Sequence, residues 1–233
     1  MWVWDAHFGP NEGRVPLETL MNQPYLKLLK VFRPDQPFTV LGGYNYEVYV
    51  FRRLPASAVA VNNKSILSEL AAEDIAQNDF RTLADMDFES PVAGQDSLKL
   101  TQEAAHSGRS SFRLGSTDEY GPGASAFFST INPAATFPMR IEASVYIYTK
   151  QKPLTNQVAL VISCENAGKS YVYQTVNLGI AVPAGSWTKL TTWVIVQKSK
   201  SPNDNIKVYL WHLGKDELLV DDLKAEVIMK KTK

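Results

Sequence analysis

Hydrophobic and polar residues alternate in short runs from about residue 84 to the end at 233, which is the pattern of β-strands buried on one face. Nine such runs occur: SLKLT, SSFRLG, SAFFSTI, MRIEASVYIYT, QVALVISCEN, SYVYQTVNL, WTKLTTWVIV, IKVYLWHL and LLVDDLKAEVI. Spacers rich in Gly, Pro, Asn and Asp separate them and favour turns. Helical periodicity is almost absent, so the pattern predicts an antiparallel jelly-roll β-sandwich over 84–233.

Residues 1–55 mix helical and extended patterns and predict a small α+β segment. In PLETLMNQPYLKLLKVF the apolar residues recur at roughly helical spacing, which predicts two short helices on either side of Pro24. Alternation over 44–51, in YNYEVYVF, predicts a β-strand. Residues 56–83 change character, and we interpret them as a connector that contains a short amphipathic helix within SILSELAAEDIAQNDF.

Composition and charge narrow the classes of function. Apolar residues make up 45% and charged residues 21% of the chain, as in ordinary globular proteins. Lys plus Arg and Asp plus Glu number 24 each, so the net charge is zero. This balance argues against nucleic acid or an anionic membrane surface as the main partner. The single cysteine, Cys164, has no second cysteine to pair with and is interpreted as a small residue in a strand.

Catalytic motifs are missing from the sequence. We find no nucleophile elbow, no phosphate-binding loop and no Cys–His pair with catalytic spacing. His106 is interpreted as a surface or capping residue. The segment is therefore predicted not to be an enzyme.

Several stretches, taken in chain order, resemble those of carbohydrate-binding-module-like jelly rolls. They are MDFES (86–90), AAHSGRSSFRL (104–114), RIEASVYIY (140–148), GSWTKLTTWVIV (185–196), IKVYLW (206–211) and LLVDDLKAE (218–226). In such modules the first strand carries Phe-Glu, the second opens with Ser-Gly, a late strand begins Gly-x-Trp, and the last strand carries Asp-Asp. The resemblance implies a noncatalytic accessory module that binds a glycan.

The same resemblance implies a structural calcium ion between the first strand, the Ser-Gly loop and the last strand. Carried onto this sequence, the ligands would be Asp87, Glu89, Ser110 and Asp221. Calcium takes about six to eight oxygen ligands, which carboxylates and carbonyls supply. Asp221 and Asp222 are adjacent on one strand, so their side chains are expected to point to opposite faces. The alternative is that these charges protect an edge strand from pairing with other chains.

Three predicted strands carry aliphatic residues on one face and aromatic residues on the other. The aromatic residues are Tyr146, Tyr148, Trp193, Tyr209 and Trp211. If the strands belong to one sheet, these rings would line its outer face, where the apolar C–H faces of sugars stack on them. The alternatives are that the rings belong to the inner core, that they pack against residues 1–55, or that they are unrelated half-buried residues.

The first 55 residues carry a second resemblance. WDAHFGPNEGRVPLETL, LLKVFRP and FTVLGGYNYEVYVFRR are similar to the soluble segment after the last transmembrane helix of glycosyltransferase-like membrane proteins of Bacteroidetes-type bacteria. This implies an extracytoplasmic location, in the periplasm or cell envelope, and a membrane-embedded portion of the same polypeptide as a partner. The strand-like sequence directly after Met1 leads us to expect a longer parent protein. The alternative function is a structural tail that binds no sugar itself.

Overall fold

The structure is a computed structural model and divides into two compact units, Met1–Asn78 and Asp79–Lys233. It describes residues 1–6, 15–34, 47–91, 96–150, 158–177, 182–214 and 216–231, apart from the side chains of 73–75. In these ranges, no helix has both the length and the apolar character needed to span a bilayer.

The first unit packs two helices on a small sheet. Its elements are β1 (Trp2–Asp5), α1 (Leu17–Met21), β2 (Leu26–Phe32), β3 (Val48–Arg53) and α2 (Asn63–Gln77). The strands are antiparallel in the order β1-β3-β2. Leu28, Tyr49 and Phe51 form the centre of its core. Asn63 is fully buried and fastens α2 to the sheet, since it accepts from the Leu28 amide at 2.8 Å and donates to the Leu26 carbonyl at 2.6 Å.

The second helix predicted after Pro24 is wrong, because this stretch forms strand β2. The pairing of β2 with β3 shifts register between Leu28 and Lys30. Such a bulge interrupts the alternation of a strand, so the apolar residues fall at a spacing that imitates a helix. The strand predicted over 44–51 corresponds to β3, apart from 44–46, which lie outside the described residues.

The second unit is built from two facing sheets. Its strands are β4 (Asn78–Met86), β5 (Leu100–Thr101), β6 (Ser111–Leu114), β7 (Tyr120–Phe127), β8 (Met139–Tyr148), β9 (Val158–Asn166), β10 (Lys169–Asn177), β11 (Thr188–Val196), β12 (Asn205–His212) and β13 (Leu218–Lys230). A 3-10 helix (Ser97–Lys99) and a short helix α3 (Phe128–Ile131) lie between strands.

Sheet I has the order β10-β9-β12-β7, and sheet II has the order β11-β8-β13-β6-β5, with β4 also paired to β13. The chain changes sheet at six connections: β6 to β7, β7 to β8, β8 to β9, β10 to β11, β11 to β12 and β12 to β13. The predicted antiparallel jelly-roll β-sandwich is therefore confirmed.

The core lies between the sheets and follows from strand alternation. Along β8, every second residue from Met139 to Ile147 is buried, and the residues between them are half-buried. Cys164 on β9 belongs to this core and is fully buried, as expected of a small strand residue. Burial raises the pKa of its thiol to about 12, and the nearby carboxylates of Asp204 and Glu165 act in the same direction.

Two predicted strand positions are wrong. The strand predicted over SAFFSTI ends early, at Phe127, where α3 begins, and the strand β7 starts further back, at Tyr120. An edge strand tolerates Pro122 because one side of its ladder needs no partner. The strand predicted at 86–90 is instead β4, which ends at Met86. Phe88 then has a φ of 56° and is fully buried.

Candidate functional site

The structure places the predicted aromatic residues on the outer faces of both sheets, and does not unite them on one. Tyr209 and Trp211 lie on β12 of sheet I. Tyr146, Tyr148 and Trp193 lie on β8 and β11 of sheet II. Their aliphatic neighbours are buried in the core, so the alternation within each strand is as expected: Val145, Ile147, Val194, Val208 and Leu210.

The outer face of sheet I carries a groove of about 510 Å³ between β7, β9 and β12. Its lining includes Tyr120, Ser125, Glu165, Lys207 and Tyr209. The rings of Tyr120 and Tyr209 meet edge to face, with their centroids 5.9 Å apart. The groove therefore combines aromatic rings with hydroxyl, ammonium and carboxylate groups.

A β-bulge brings Tyr120 to this face. Tyr209 pairs with Gly123 and Trp211 pairs with Tyr120. Between these two pairs β7 advances by three residues and β12 by two, so β7 holds one extra residue. The tyrosine is 56% exposed as a result. Gly123 is required here, since a Cβ atom at this position would lie 2.6 Å from the carbonyl oxygen of Val208. The missing side chain allows β7 to approach Val208 and Tyr209 of β12 closely.

Small and medium-sized residues of β9 lie beneath the aromatic rings on the outer face of sheet I. Ala159, Val161 and Ser163 take the outward positions of β9 and are nevertheless fully buried. Tyr209 is paired with Val161, and Tyr173 on β10 is paired with Ser163. Tyr173 is 50% exposed. The large rings on the flanking strands therefore cover β9. The groove beside them, over β7 and β12, is called the trough of sheet I below.

Polar groups lie along the same trough. The Lys207 ammonium contacts Glu165 at 2.7 Å. Burial, together with the neighbouring Tyr173 hydroxyl, raises the pKa of Tyr209 to about 12. The Tyr209 phenol therefore stays protonated near neutral pH and can both donate and accept hydrogen bonds. This arrangement is suited to a ligand that has apolar faces and many hydroxyl groups.

A second group of rings lies on sheet II, where β8 ends and β11 begins. The imidazole of His106 stacks on Tyr146 with ring centroids 3.4 Å apart and meets Trp187 edge to face at 5.9 Å. Tyr148 and Trp187 lie 5.3 Å apart. Sequence reasoning missed Trp187 and His106 as members of an aromatic cluster. The Gly-Ser-Trp turn before β11 was the available signal for Trp187.

The last strand holds His106 in place. Asp221 accepts from the His106 amide at 2.7 Å, and Asp222 lies 2.6 Å from His106 Nδ1. The expectation that these two aspartates point to opposite faces is wrong, because both reach the Ser-Gly loop (104–110). A register shift between Asp221 and Lys224, with a φ of 49° at Asp222, turns the backbone there. Burial raises the pKa of Asp221, although backbone amides act against it.

The loop is also fastened from its other side. Glu89 Oε1 accepts from the amides of Arg109 and Ser110, both at 2.8 Å. Gly108, directly before Arg109, has a φ of 59°, and a Cβ atom there would lie 2.4 Å from Glu89 Oε1. The Ser-Gly loop is thus clamped by carboxylates that precede it and follow it in the chain.

These contacts bear on the predicted calcium ligands Asp87, Glu89, Ser110 and Asp221. Glu89 and Asp221 face backbone N–H groups, whose partial positive charge opposes a bound cation, and Asp87 accepts from the Glu89 amide at 3.1 Å. Over the described residues, His, Cys, Asp and Glu form no group of three or more able to hold a metal. The arrangement does not fit a calcium ion, and calcium stays a prediction from the resemblance.

Solved structures similar to this chain include carbohydrate-binding domains. No protein-family model matches the sequence, and no curated protein sequence matches it significantly. The CBM22-1 xylan-binding domain from Paenibacillus barcinonensis Xyn10C is 18% identical, with a TM-score of 0.46, over 65% of this chain and 97% of that domain. The C-terminal family 22 carbohydrate binding module of Clostridium thermocellum Xyn10B is 14% identical, with a TM-score of 0.45, over 65% and 96%.

An enzyme is also among the similar structures. A Stig cyclase, Fisc from Fischerella sp. TAU, is 12% identical over 65% of this chain and 86% of that chain, with a TM-score of 0.35. Likeness of this kind concerns the β-sandwich alone, and sandwiches host many functions. The function of this chain therefore depends on the residues of its own surfaces. The second resemblance, to the tails of membrane proteins, stays a prediction.

Proposed function

We propose that the protein is a noncatalytic carbohydrate-binding module whose ligand lies in the trough of sheet I. The observation that carries the proposal is the set of rings around that trough. Tyr120 and Tyr173 are at least half exposed, and Tyr209 and Trp211 are half-buried beside them. Sugar rings have apolar C–H faces that stack on such side chains.

The polar groups of the trough suit the hydroxyl groups of a sugar. Lys207 lies two residues before Tyr209 on the same face of β12, which places its Cα roughly 7 Å along the strand. Glu165 accepts where Lys207 donates, and Ser125 on β7 adds a hydroxyl group. Hydrogen-bond donors and acceptors would thus lie within about two residues of a sugar that stacks on the tyrosines.

Binding to polysaccharide tests the proposal. We expect affinity gel electrophoresis with soluble xylan, β-glucan or galactomannan to retard the protein in at least one gel. Trp211→Ala and Tyr209→Ala should each weaken that retention about fivefold, because one stacking ring contributes about 1 kcal/mol. Trp2→Ala is the matched control, since Trp2 is 53% exposed and belongs to the first unit. Migration unaffected by any of the three polysaccharides, or equal losses in Trp2→Ala, would contradict the proposal.

The second candidate function is the structural tail of a glycosyltransferase-like membrane protein. Trp193 favours it. Its position on β11 is on the outer face of sheet II, yet only 9% of it is exposed. A covered ring cannot stack on a sugar, so Trp193 contributes to packing and not to ligand binding. The cell-envelope location and the membrane-embedded partner belong to this same proposal, and a protein that binds no glycan would support it.

A further inference from the structure

We propose a second carbohydrate-binding surface, on the outer face of sheet II, that takes an uncharged sugar on Trp187 and Tyr148. It shares no residue with the trough of sheet I. Its existence does not depend on whether that trough binds a ligand.

The ring geometry defines the stacking position. Tyr148 ends β8, and Trp187 comes directly before β11, so both lie at one end of the sheet. Their planes are tilted by 38° with centroids 5.3 Å apart, and both side chains are half-buried. The face of Tyr146 is covered instead, because the His106 ring lies parallel to it within 16°. Tyr146 supports His106, while Trp187 and Tyr148 remain for the sugar.

The loop clamp makes this surface rigid. His106 is held by Asp222 through its ring and by Asp221 through its amide, and it contacts Trp187 edge to face. Ser107 adds a hydrogen bond from its hydroxyl group to Asp222 at 2.9 Å. Surfaces that are ordered before binding lose less conformational freedom when a ligand arrives. A rigid wall beside the rings is therefore consistent with a binding surface.

A polar groove of about 360 Å³ continues from the rings along sheet II. Tyr146 is paired with Lys189, whose ammonium lies 5.6 Å from the tyrosine ring. One step further along β8, Ser144 is paired with Thr191 on one side and Lys224 on the other. Ser144, Lys189, Thr191 and Lys224 line the groove, and their side chains can all donate hydrogen bonds.

The charges of the groove indicate an uncharged ligand. Lys189 and Lys224 line it together with Asp85, Glu142 and Glu226, so both signs are present. Lys224 lies 3.7 Å from Asp85, and Glu142 contacts Arg140 at 3.0 Å. The lysines would repel a ligand with net positive charge, and the carboxylates would repel one with net negative charge. Hydroxyl groups can both donate and accept, and they are suited to a lining of this kind.

The experiment measures binding after the sheet I trough has been weakened by the loss of two of its rings. Xylohexaose, cellohexaose and mannohexaose are titrated calorimetrically into the full chain carrying Tyr209→Ala and Trp211→Ala. We expect saturable residual binding of at least one hexaose. Adding Trp187→Ala should reduce this residual affinity at least about fivefold, as expected for the loss of one stacking ring. Lys189→Ala should also reduce it, and Trp2→Ala should not.

Three other outcomes separate the two proposals. If the double variant loses all binding that the unaltered protein shows, the second surface is overturned and the trough of sheet I stands. If the double variant binds as well as the unaltered protein, and Trp187→Ala abolishes binding, the trough fails and the second surface stands. If the unaltered protein binds none of the three hexaoses, both are overturned. Should Trp187→Ala fail to fold, Trp187→Phe combined with Lys189→Ala replaces it.

Discussion

Asp204 is a fully buried carboxylate that four donors surround. Asn166 donates at 2.6 Å, the Tyr171 hydroxyl at 2.8 Å, and the amides of Lys200 and Ser201 at 2.8 and 3.1 Å. Burial acts to raise its pKa, but the hydrogen bonds outweigh burial and hold the pKa below its ordinary value. The charged form of one residue thus orders the turn between β11 and β12.

The lowered pKa of Asp204 predicts a stability that depends on pH. The folded pKa lies below the unfolded one, so this contribution is present above about pH 4 and is lost as the pH falls through the folded pKa. Asp204→Asn should lower the free energy of unfolding by about 2–4 kcal/mol at pH 7, because donors lose their acceptor. Urea unfolding should show a smaller difference from the unaltered protein at pH 3. Asp85→Asn, at an exposed carboxylate, is the control, and an equal difference at both pH values would contradict the assignment.

Trp193 differs from Trp211 in exposure, and a prediction follows for its stability. Because Trp193 is nearly covered, Trp193→Ala should lower the free energy of unfolding by roughly 3 kcal/mol, as for other large buried side chains. Trp211→Ala should cost far less, since its ring is half-buried. Urea unfolding measures both. A loss from Trp193→Ala no larger than that from Trp2→Ala would show that this ring does not pack.

At the scale of elements, the clamped Ser-Gly loop can be tested through two glycines. Gly108 and Gly185 both have positive φ, so alanine at either costs about 1–2 kcal/mol in backbone strain. Nothing lies within 4 Å of a Cβ atom at Gly185, whereas one at Gly108 meets Glu89. Gly108→Ala should therefore lose roughly 1–3 kcal/mol more than Gly185→Ala, through broken hydrogen bonds to Glu89. Equal melting temperatures for the two variants would show that the clamp contributes little.

The sequence predicts an element correctly when the residues of that element alone determine its structure. The strands β8 and β12 alternate regularly and could be predicted, as could the aliphatic face of each. The bulge in β2 and the one at Asp221 could not, because a bulge depends on the pairing partner and reverses the expected faces. The sheet to which a strand belongs is likewise not encoded in its alternation. The division of five aromatic residues between two sheets was therefore beyond prediction, as was the meeting of His106 with Trp187.

At the scale of the whole molecule, the second unit presents two candidate surfaces on opposite outer faces of one sandwich. The clamp of the Ser-Gly loop uses backbone amides where the resemblance implied calcium. We therefore expect a chelator to leave the melting temperature unchanged. Asp221→Ala should lower it equally with and without the chelator, because buried amides lose their acceptor. A chelator-induced fall that added calcium reverses would instead support the predicted metal, since a ligand of the folded state stabilises it by mass action.

The single cysteine has a practical consequence for all of these measurements. Cys164 is fully buried and has a pKa of about 12, so its reactive thiolate is scarce in the folded protein. The folded chain should behave toward maleimide dyes as though it had no cysteine. A cysteine introduced beside either sheet would then be the only position to take up a fluorescent label. In the unaltered protein, dye uptake would count the molecules that have unfolded.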